Sequence, residues 1–86
     1  MITQLKIDVQ FKTPFATEDE FDIFLDSFLE YIESNEVLFG GGSDVSYIDG
    51  VVHSETKTAI QIKEIVERFF SNIEIQTIEL MEIIEN

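Results

Sequence analysis

The middle of the chain limits the possible folds more than any other part. Val37-Leu38-Phe39 runs into Gly40-Gly41-Gly42-Ser43-Asp44, and Asp49-Gly50-Val51-Val52 follows, between two segments of helical periodicity. Short apolar runs punctuated by Gly and Asp-Gly are the sequence form of a β-hairpin. Three successive glycines cost backbone entropy, so they answer a geometric need: a bulge, a turn with φ > 0, or close approach of two backbones. The second strand is expected from about Val37, distorted at the glycines, to about Ile48. Asp49-Gly50 is then a type I′ turn, and Val51-Val52-His53-Ser54 the third strand. The register stays open here, because Gly40 to Gly42 form a turn equally well.

The flanking segments complete the plan. Leu5, Ile7, Val9 and Phe11 alternate with Lys6, Asp8, Gln10 and Lys12, the period of a strand with one covered face; Pro14 ends it. Thr17 with Glu20 forms a capping box, and acids in the first turn suit the helix dipole. Phe21, Phe24, Leu25, Phe28, Leu29 and Ile32 then share one helical face, and Asp22, Asp26, Glu30 and Glu33 the other, as far as Ser34-Asn35. A second helix opens near Thr58, boxed by Gln61, with Ala59, Ile62, Ile65, Val66, Phe69 and Phe70 inward and Glu64 spaced to meet Arg68. Ile73 to Leu80 alternates like a strand, but its phase slips between Ile75 and Ile78, which predicts a bulge near Gln76-Thr77. Met81 to Asn86 extends this strand or ends as a helical turn.

The order β-α-β-β-α-β, with right-handed crossovers, specifies an α+β ferredoxin-like two-layer sandwich. A four-stranded antiparallel sheet carries two helices on one face. Eighty-six residues make one domain, 1–86. An edge or bare face of such a sheet invites pairing with a copy, which Lys6, Lys12 and the glycines are expected to discourage. The oligomeric state is not fixed by the sequence.

Eighteen carboxylates stand against five Lys and Arg, a formal net charge of −13. That balance opposes direct nucleic-acid binding and binding to anionic membranes, and it permits a basic protein partner. With no Cys and one His there is no thiolate or polyhistidine metal site, and no cofactor is expected. Phe39 to Ser43 lacks the Lys and spacing of a phosphate loop. Asp44, Ser46 and Asp49 lack the Gly and distal Glu of a calcium loop. His53 and Ser54 are adjacent on a strand and so face opposite ways, without a nucleophile elbow. The third strand lacks the aromatic residues of an RNA-recognition domain. No leader and no spanning run is evident, so a cytoplasmic protein is expected; with none of these motifs forming a catalytic constellation, a non-enzymatic one is expected.

Taken together, these features resemble the YggL-like family of small bacterial proteins associated with the large ribosomal subunit. The matching residues are the strand ending at Phe11, Tyr31-Ile32-Glu33-Ser34-Asn35, Leu38-Phe39-Gly40-Gly41-Gly42, Asp49-Gly50-Val51-Val52 and Ile65-Val66-Glu67-Arg68-Phe69-Phe70, within about residues 5 to 84. The family's basic N-terminal arm has no counterpart in Met1-Ile2-Thr3-Gln4, and Phe69-Phe70 stands where a Trp is expected. The resemblance implies a ribosome-associated protein that binds a basic protein or ribonucleoprotein surface. Asp22, Asp26, Glu30 and Glu33 are the candidate partner contact, since four carboxylates on one rigid face steer cations. The alternative function is an acidic, nucleic-acid-mimicking inhibitor of a DNA- or RNA-binding protein.

Overall fold

Alternation decides the first strand. In the computed structural model, which describes residues 2–83, β1 runs Thr3–Phe11 and buries Leu5, Ile7, Val9 and Phe11 on one face. The helix α1 follows at Glu18–Ser34. The hairpin β2 (Leu38–Asp44) and β3 (Tyr47–Ser54) comes next, then α2 (Ala59–Phe70) and β4 (Ile75–Glu82). The sheet order is β2-β3-β1-β4, with every neighbouring pair antiparallel. This is the β-α-β-β-α-β, ferredoxin-like arrangement. β1 is therefore a central strand, and Lys6 lies inside the sheet between β3 and β4 instead of guarding an edge.

The core-facing strand residues and the helix residues Phe21, Phe28, Ile32, Ile62, Ile65, Val66 and Phe70 form one buried cluster. Both helices thus cover the same side of the sheet. All eight Phe residues join one aromatic network, with neighbouring ring centroids 5.1–6.5 Å apart and many edge-to-face pairs. Such pairs add to what burial of their area contributes.

The hairpin corrects the expected register. The turn is at Val45-Ser46, with Asp44 opposite Tyr47, and Asp49-Gly50 lies inside β3 opposite Gly42 and Gly41. Neither turn residue has φ > 0, so this is not the I′ turn that Asp-Gly favours. Tertiary hydrogen bonds hold it instead. The Phe11 N–H donates to Ser46 O at 3.0 Å, and the Phe15 N–H donates to Val45 O at 2.9 Å. The Val45 N–H donates to Asp44 Oδ1 at 2.7 Å.

Two glycines are needed because their backbones touch. Gly41 has φ +152°, and a Cβ there would lie 2.5 Å from Gly50 Cα and 2.6 Å from Asp49 O. A Cβ on Gly50 would meet the Phe39 ring at 2.9 Å. Phe39 packs edge-on against Phe28, so Gly50 provides the floor for that ring.

At the far end, Phe11 pairs with Ile75 while Gln10 pairs with Thr77, which leaves Gln76 as the extra residue of a bulge. The bulge lets Ile75, Ile78 and Leu80 all pack against the core despite the phase slip. Met81 and Glu82 continue β4, and the residues expected beyond Ile83 lie outside those described.

Candidate functional site

α1 is fixed at both ends by backbone chemistry. The Thr17 hydroxyl accepts from the Glu20 N–H at 3.1 Å, the N-cap half of the expected box. At the other end, the Val37 N–H donates to Ile32 O and the Glu36 N–H to Glu33 O, a Schellman closure. Glu36 holds the left-handed position with φ 64°, where glycine is usual, and buried Val37 completes the motif beside Ile32. Ser54 locks this corner. Its buried hydroxyl donates to Glu36 O at 2.7 Å and accepts from the Thr56 and Lys57 N–H groups at 3.1 and 3.0 Å.

On this anchored helix Asp22, Asp26, Glu30 and Glu33 are all exposed. At 100° per residue they occupy a sector about 80° wide and roughly 16 Å long, away from the buried stripe of Phe21, Phe28 and Ile32. α1 carries seven carboxylates, counting Glu18, Asp19 and Glu20, and no Lys or Arg. The three adjacent pairs among the four outer acids repel each other, which costs the helix about 1 kcal/mol in all. The cations lie elsewhere: Lys57 meets Glu36 at 3.6 Å, the one ion pair among the described residues, and Lys63 and Arg68 sit on α2.

The remaining polar residues are structural or dispersed. His53 lies on the open sheet face between Gln4 and Leu38, whereas Ser54 points into the core side; the two are not brought together. Gly40 to Gly42 lie in strand β2 and form no phosphate cradle. Asp44 and Ser46 sit at the hairpin turn while Asp49 lies inside β3. Among the described residues no group of three or more His, Asp or Glu is arranged to hold a metal ion. None of the described helices is long and apolar enough to cross a membrane.

One acidic feature appears only once the register is known. Asp8 lies opposite Asp49 on one side and Glu79 on the other, a row of three carboxylates across the open face of the sheet. Like charges directly opposite are destabilising. No sequence period brings these three residues together, since each is on a different strand. No family model, curated protein or solved structure matches this chain.

Proposed function

We propose that this chain is a non-enzymatic, cytoplasmic binding protein whose α1 face docks on a basic protein or ribonucleoprotein surface. The contact is Asp22, Asp26, Glu30 and Glu33. One observation carries the reading: a helix locked at both ends holds a row of mutually repelling carboxylates with no cation on the same helix. A cationic surface relieves that repulsion on contact, so the approach is favoured electrostatically and weakens with salt. The large ribosomal subunit, met through its basic proteins, is the assembly that the resemblance implies. Co-sedimentation with separated subunits tests it: the chain travels with the large subunit at low salt and is released at raised salt. Its absence from that fraction at low salt removes the reading.

The row Glu79–Asp8–Asp49 supports a second reading, because it puts carboxylates on the sheet face as well as on α1. An inhibitor that mimics nucleic acid uses acid on several sides to fill a basic cleft. Such a chain displaces nucleic acid from its captured partner, whereas a docking protein leaves the nucleic acid bound.

A further inference from the structure

The two edges of the sheet are not equivalent. Along β4 the Ile83 N–H donates to Gln4 O at 2.9 Å, and Leu5 lies opposite Glu82. Antiparallel pairing alternates, so Thr77, Glu79 and Met81 also direct their backbone groups to β1, while Ile78, Leu80 and Glu82 direct theirs outward. The outward row is regular, lies past the bulge at Gln76, and is free of Pro. The other edge offers Phe39, Gly41 and Ser43 by the same alternation, but Gly41 at φ +152° breaks the regular strand geometry in the middle of that row. β4 is the edge that can accept another strand.

Beside this edge runs a groove of about 430 Å³ between β4 and α2, lined by Lys63, Glu67, Ile78, Glu79, Leu80 and Met81. Ile78 and Leu80 are only half-buried, so their apolar surface is left incompletely covered by α2. The charges at the groove and edge are three carboxylates, Glu67, Glu79 and Glu82, against Lys63. A second copy would bring the same carboxylates and a further net −13 to this edge. A cationic strand complements it.

We propose that β4 is a strand-addition site: an extended segment of a basic partner protein pairs antiparallel with Ile78, Leu80 and Glu82. Alternate residues of that segment have two jobs. β-branched apolar side chains enter the groove over Ile78 and Leu80, and Lys or Arg on the other face meets Glu79. The backbone pairs supply affinity and the alternation supplies specificity. This site is on the edge of the sheet opposite β2 and is independent of the α1 contact.

The test uses the whole chain and an acetylated, amidated octapeptide of alternating Val and Lys, with amide hydrogen exchange followed by NMR. At saturating peptide, exchange of the Ile78, Leu80 and Glu82 N–H groups slows by about ten-fold or more, while Thr77, Glu79 and Met81, already bonded to β1, change little. A peptide of alternating Pro and Lys has the same charge but no N–H at the pairing positions, and it gives no protection there. The proposal fails if the three outward amides stay unprotected, if protection falls on Gly41 and Ser43, or if both peptides act alike. It also fails if the three amides become protected with rising protein concentration alone, since the occupant is then a second copy.

Discussion

Gly41→Ala is the substitution that most sharply separates packing from local propensity. Its new Cβ would stand 2.5 Å from Gly50 Cα and 2.6 Å from Asp49 O, and both obstacles are backbone of the partner strand. No side chain can rotate away, so β2 and β3 must separate locally. Overpacking of this kind costs about 1–3 kcal/mol. Placing an L-residue at φ +152°, a backbone region that side chains rarely adopt, adds about 1–3 kcal/mol. Reduced freedom of the unfolded chain returns about 0.4–1 kcal/mol. The expected net loss is about 3 kcal/mol, a large part of the roughly 4–13 kcal/mol that 86 residues ordinarily provide. Gly40→Ala and Gly42→Ala are the controls, because nothing lies within 4 Å of a Cβ built at either position. In urea unfolding followed by circular dichroism, Gly41→Ala lowers the midpoint by about 3 M at a slope near 1 kcal/mol/M, and the two controls move it by under about 0.5 M. Equal midpoints for Gly41→Ala and Gly40→Ala would refute the close approach of the strands.

Other consequences follow from single contacts. Ser54→Ala leaves Glu36 O and the Thr56 and Lys57 N–H groups without their shared hydroxyl, and costs about 1–3 kcal/mol in the same urea assay. Thr58→Ala removes the hydroxyl that accepts from the Gln61 N–H at 3.3 Å, one half of the α2 capping box, while the backbone N–H of residue 58 keeps its 2.9 Å bond to Gln61 Oε1; stability falls by about 1 kcal/mol. Because the net charge is −13, raising NaCl from about 10 mM to about 0.5 M shortens the screening length from roughly 30 Å to a few ångströms. Scanning calorimetry then shows a Tm higher by a few degrees, where a falling Tm would mean that attraction dominates.

How far the sequence reaches can be judged from the elements themselves. β1 and both helices follow from periods that one face must satisfy: Leu5 to Phe11 at two, Phe21 to Ile32 and Ile62 to Phe70 at about 3.6. Burial confirms each stripe. The slip before Ile78 marked the bulge at Gln76 because only an extra residue returns Ile75 to the core side. Asp49-Gly50 is a strong local turn signal, yet the chain turns at Val45-Ser46. What overrides it is tertiary: Ile48 and Val52 must both face the core, which carries the strand straight through Gly50 and makes that glycine the seat of Phe39. The shared parity of Ile48 and Val52 was available in the sequence and points to this register. The acidic face of α1 is visible from helical spacing alone. The Glu79–Asp8–Asp49 row and the outward groups of β4 depend on strand order and register, which local patterns do not contain.

The acidic face of α1 as the docking surface is tested most directly by neutralising it without changing its shape. The chain carrying Asp22→Asn, Asp26→Asn, Glu30→Gln and Glu33→Gln is compared with the unaltered chain for sedimentation with isolated large ribosomal subunits at low salt. Since the four side chains are exposed and repel one another, the variant stays folded and is expected to be slightly more stable by thermal melting. The unaltered chain is expected in the subunit fraction and the variant at the top of the gradient. Equal co-sedimentation of the two, or the absence of both from the subunit fraction, contradicts the proposed role of this face.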